Sequence, residues 1–175
     1  MANTYTLISS VTVGSGGAAN IEFTSIPATY TDLVVNLSIR TNATNAYFVE
    51  QQYLRFNNDS GTNYAWQEIL GEGANAYAGN NTSDNRIYCD FAPCATATGN
   101  TFSNSQIYIS NYLASAHKAV SVERAGENNN TTSYQGLLAG LWRSNSAVTS
   151  IQIIPNQGNT IQQYSTAYLY GISNA

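Results

Sequence analysis

Four carboxylates, Glu68, Glu72, Asp84 and Asp90, form the one local concentration of acids in this sequence, and a pair of such groups flanking a sugar is what glycoside hydrolysis requires. Three of them fall in or beside residues 71 to 85, a stretch rich in Gly and Asn. That stretch reads as a long exposed loop, where a tuned carboxyl pair is hard to hold, so they read as solvated loop acids. A serine hydrolase would have to use His117, the single histidine, and no Gly-x-Ser-x-Gly elbow accompanies it. His117 is expected on the surface of a strand connection.

Cys89 and Cys94 lie in Cys-Asp-Phe-Ala-Pro-Cys and are too few for a disulfide framework or a four-ligand zinc site. They read as buried thiols in a strand and its following turn, with a local disulfide as the alternative. The run Asn57-Asn58-Asp59-Ser60-Gly61-Thr62-Asn63 places oxygen donors at alternate positions, as a calcium loop does, but it lacks the acidic count and terminal Glu of an EF-hand. A tight turn needs the same residues, because Asn and Gly tolerate positive φ. The expectation is no catalytic residue, no cofactor and no metal.

Aromatic side chains remain. Thirteen Tyr and two Trp offer planar faces suited to sugar stacking or to protein contacts. Tyr47, Tyr53, Tyr64, Trp66 and Tyr77 lie near the expected loops, whereas Trp142 sits in an apolar setting and reads as core. The candidate contact or glycan-binding set is Asn57, Asp59, Tyr64, Trp66 and Tyr77.

Composition points the same way, since only 9% of the 175 residues are charged and the acids, bases and metal ligands of enzymes are scarce. The net charge is −4, and Arg40, Arg55, Arg86, Lys118, Arg124 and Arg143 are scattered without a cluster. A phosphate backbone needs a basic stripe, so no nucleic-acid partner is expected. The N-terminus lacks a basic segment followed by an apolar one, and no window approaches the ~18 apolar residues of a membrane span. Synthesis in a cytoplasm without export or membrane insertion is the expectation.

The elements that must position these residues are strands. Many Tyr and β-branched residues with few Lys and Glu disfavour helix, and period-two alternation recurs between turn signals. Tyr5, Leu7, Val11 and Val13 share one side of the first segment, which ends at Gly14-Ser15-Gly16-Gly17. Ile21 and Phe23 follow, then Leu33, Val35, Leu37 and Ile39 facing inward; these three segments are expected to form one sheet core. Further strands are expected at residues 53–56, 86–91, 106–112, 118–124, 134–142, 150–154 and 166–172, with a turn at Gly126-Glu127-Asn128-Asn129-Asn130. Nine or ten short strands with no amphipathic helix predict an all-β fold: one antiparallel β-sandwich domain over residues 1–175, jelly-roll-like.

Several segments carry a resemblance. Tyr5-Thr6-Leu7-Ile8-Ser9-Ser10-Val11-Thr12-Val13, then Ile21 to Ile26 with Pro27 and Tyr30-Thr31-Asp32-Leu33, then Leu54-Arg55-Phe56-Asn57-Asn58-Asp59 with Gly61 and Tyr64, and finally Leu169-Tyr170-Gly171-Ile172, resemble small virion structural proteins of tailed bacteriophages, especially those of marine and cyanobacterial hosts. The resemblance implies a virion component assembled in the host cytoplasm. Its expected role is a capsid decoration or cement protein, a homotrimer that clamps capsid subunits through loops and the N-terminal strand. The alternative is a tail or fibre adhesin that meets tail proteins and binds a host surface glycan through the aromatic set named above.

Overall fold

The computed structural model describes residues 4–45, 49–129 and 132–173. Tyr47 and Asn130, named above, lie outside the described residues. The strands are β1 (Tyr5–Thr12), β2 (Ile21–Phe23), β3 (Asp32–Ser38), β4 (Val49–Phe56), β5 (Tyr64–Glu72), β6 (Asn75–Asp84), β7 (Ile87–Pro93), β8 (Asn104–Ile109), β9 (Lys118–Glu127), β10 (Ser133–Trp142), β11 (Ile151–Pro155) and β12 (Thr166–Ile172). A single 3-10 turn, Asn156–Gly158, follows β11.

Eight strands form one sheet in the order β1-β12-β3-β8-β9-β10-β5-β6, and four form the other in the order β2-β11-β4-β7. Every strand pair is antiparallel. The expected all-β sandwich is therefore present, with unequal sheets and no jelly-roll connectivity assigned.

Alternation dictates the layers. Along β9 and β10 buried and exposed residues alternate almost without a break, so every second side chain enters the sandwich. Val35, Ile107, Val122 and Leu138 meet Leu54, Phe56, Ile87 and Ile153 from the smaller sheet in one core, each such side chain contributing on the order of 2 kcal/mol by leaving water. Trp142 is core as expected, 2% exposed, with its ring 5.4 Å from Phe56 and 6.4 Å from Tyr64. The layers touch closely where β10 crosses β7, since a Cβ at Gly140 would stand 2.8 Å from Ile87 Cδ1.

Three expectations change. Residues 71 to 85 are not a loop: β5 and β6 form a hairpin that turns at Gly73, φ 55°. This pair raises the strand count to twelve. The sequence hides β6 because an edge strand exposed on both faces shows no alternation, and its ladder to β5 supplies the order that burial does not. In β1 a bulge between Leu7 and Ser9 reverses the facing of the chain. Tyr5 and Leu7 consequently face outward while Val11 packs against the core and Val13 is buried, so the four do not share a side. Finally, the first three strands do not form one sheet core: β12 separates β1 from β3, and β2 belongs to the smaller sheet.

Candidate functional site

The five residues singled out by sequence do not share an exposed surface. Tyr64 is fully buried, its hydroxyl donating to Asp59 O at 3.1 Å and accepting from the Phe56 amide at 3.0 Å. Burial pushes that phenol far above its usual range. Trp66 is half-buried, meets Tyr88 edge to face at 5.2 Å, and donates through Nε1 to Asp84 at 2.9 Å. Asp59 accepts from Trp142 Nε1 at 2.8 Å, from the Gly61 amide at 2.9 Å and from Asn63. Asn57 ties the same turn to residues 147–150, donating to Ala147 O and accepting from the Thr149 and Ser150 amides. Asn57 and Asn58 both have positive φ, as a tight turn requires. Tyr77 alone of the three aromatics is well exposed, at 50%, on β6.

The acids are also engaged. Glu68 forms an ion pair with Arg124, whose guanidinium carbon lies 4.0 Å from the Phe91 ring centroid. Asp84 accepts from Trp66 and Asn81 and lies 3.7 Å from Arg86 Nε. Asp90 is fully buried and accepts from the Ser103 and Ser105 hydroxyls and from the Phe91 amide. Burial pushes its carboxyl up to about 6, against the pull of those hydrogen bonds. Glu72 closes β5 opposite Tyr134 and Asn75. Cys89 and Cys94 are free and buried, and burial raises both thiols. His117 is exposed on the connection into β9. Among the described residues no three His, Cys, Asp or Glu side chains gather as metal ligands.

What the sequence did not reveal is the outer face of the large sheet. Directly opposed residues point to the same side, so the register assembles that face row by row. One row runs Tyr168, Asn36, Gln106, Glu123, Leu137 and Ile69 across β12, β3, β8, β9, β10 and β5. The next runs Leu7, Tyr170, Val34, Tyr108, Ser121 and Ala139. Val34 is fully buried despite facing outward, between Tyr170 and Tyr108 in its row. Gln106 Nε2 donates to Asn36 at 3.1 Å, and the Tyr108 hydroxyl donates to Asp32 at 2.6 Å, which pushes that phenol up to about 12.

Two regions of this face are distinct. At the β1 end, Tyr5 and Leu7 are 54% and 52% exposed, and the Tyr5 ring meets Tyr170 edge to face at 6.3 Å. From β8 to β6 the face forms a shallow trough of about 1100 Å³, lined among others by Asn104, Gln106, Glu123, Gln135, Leu137 and Ile69. No single segment signals the trough, because its residues come two or three at a time from five strands.

No family model matches this chain, and neither a curated protein nor a solved structure matches it.

Proposed function

We propose that this chain is a non-enzymatic virion structural protein of the tailed-phage type, a capsid decoration or cement subunit that acts as a homotrimer and stabilises the lattice by surface contact. The observation that carries this reading is β1. It is an uncharged strand at one end of an eight-stranded sheet, with strand partners on one side only among the described residues and with Tyr5 and Leu7 exposed beside it. A free strand edge is a template for pairing with another chain, and adjacent exposed apolar side chains supply contact area. Few charges would have to leave water when such a surface closes. The engagement of Glu68, Asp84 and Asp90 in ion-pair or hydrogen-bond contacts of the fold supports a non-catalytic role. The resemblance of the β1, β2–β3, β4–β5 and β12 segments to phage virion proteins supplies the setting, with assembly in the host cytoplasm. A tail or fibre subunit that binds host glycan is the second reading, favoured by the trough.

Particles lacking this protein are expected to lose infectivity in heat and osmotic shock sooner than intact ones. Wild-type protein added back restores resistance, whereas a Tyr5→Lys/Leu7→Lys variant that keeps its near-ultraviolet circular dichroism does not. Equal survival of particles with and without the protein would remove the cement role.

A further inference from the structure

We propose that the trough on the outer face of β8, β9, β10, β5 and β6 binds a neutral oligosaccharide segment. Its hydrogen-bonding groups are mostly primary amides: Asn104 and Gln106 from β8 and Gln135 from β10, all exposed. Each amide offers donor and acceptor in one plane, which is the pattern that adjacent sugar hydroxyls complement. Glu123, beside Gln106 in its row, adds an acceptor-only group that takes the stronger, charge-assisted bond from a hydroxyl. Leu137 and Ile69, 54% and 61% exposed, stand next in the same row and present apolar surface to the C–H face of a ring. Five strands at about 4.8 Å spacing give a length of roughly 19 Å, enough for several sugar units.

Charge separates sugar classes. The trough side chains include one carboxylate and no Lys or Arg other than Arg124. Arg124 is buried with its guanidinium on Glu68 and Phe91. A uronic acid, sulfated or phosphorylated chain would face Glu123 with no exposed cation in the trough to offset it. A protein partner fits less well, because the centre of a protein interface is enriched in aromatic, Met and Arg side chains, and here two aliphatics stand among amides. The inference rests on the trough and not on β1, which lies three strands from β8, and it holds for a capsid or a tail location.

The test is affinity electrophoresis of the full chain in gels containing dextran, yeast mannan, galactomannan or, as the acidic comparison, alginate. At least one neutral polymer is expected to retard the wild type, and alginate is not. A Gln106→Ala/Gln135→Ala variant is expected to bind about tenfold more weakly, the loss of about one net hydrogen bond's worth of affinity. Tyr5→Lys/Leu7→Lys is expected to bind as wild type, which separates failure here from failure of the β1 reading. Retardation by no neutral polymer, by alginate alone, or equally in the Gln106→Ala/Gln135→Ala variant would overturn the proposal. So would loss of particle incorporation in a Leu137→Lys variant, which would make the trough a protein interface.

Discussion

Asp90 shows how a single buried group can make the stability of this sandwich depend on pH. Its carboxyl titrates at about 6 when folded against about 3.9 in an unfolded chain. Between those values the folded chain holds the extra proton, so this stabilisation is complete below about pH 4 and is lost as pH rises through about 6. The shift is worth roughly 3 kcal/mol. In urea titrations at about pH 4 and about pH 8, Asp90→Asn is expected to show a smaller stability difference than wild type. Equal stability differences in the two proteins would mean that Asp90 does not titrate in this range. The Arg124–Glu68 pair makes a second residue-scale prediction. Arg124 is 1% exposed, and its Nε and Nη1 have no partner among the described residues, so Glu68→Gln should cost about 3 kcal/mol by removing the carboxylate paired directly with that charge. Arg124→Met/Glu68→Leu should recover most of the loss in a double-mutant cycle.

At the scale of elements, the Gly140 crossing is a tight contact between the sheets. Gly140→Ala is expected to lower stability by about 1–3 kcal/mol through overpacking against Ile87, and Ile87→Val added to it should restore part of that in thermal unfolding. The elements that the sequence revealed are those whose pattern comes from burial. β3, with Leu33, Val35 and Leu37 inward, and β12, whose bounds match the expected 166–172, are two of them. β5 and β6 were hidden because β5 is ordered by pairing to β10 and β6 by pairing to β5, long-range facts that Gly79, Asn80 and Asn81 do not announce. The β1 bulge was hidden for a related reason: Tyr5, Leu7 and Val11 keep an odd-numbered pattern through Ile8, and only the partner strand reveals the extra residue. The same limit applies to the candidate site. Tyr64 and Trp66 stand beside turn residues in sequence, yet their rings serve the core and Tyr88. The outer rows exist only after eight strands are set in register.

For the whole molecule, the outer face of the eight-stranded sheet carries no second layer among the described residues, and the proposed functions divide that surface. The β1 end is proposed to meet protein and the trough to meet sugar. If β1 mediates self-association, sedimentation of the isolated protein should show a concentration-dependent trimer that Tyr5→Lys/Leu7→Lys converts to monomer; unchanged mass would exclude β1 from that contact. The measurement that tests the central proposal most directly is the copy number of this protein in purified particles, by quantitative mass spectrometry. A lattice-stabilising role predicts copies on the order of hundreds, following the symmetry of a capsid. Absence from the particle, or on the order of tens of copies or fewer, would contradict it.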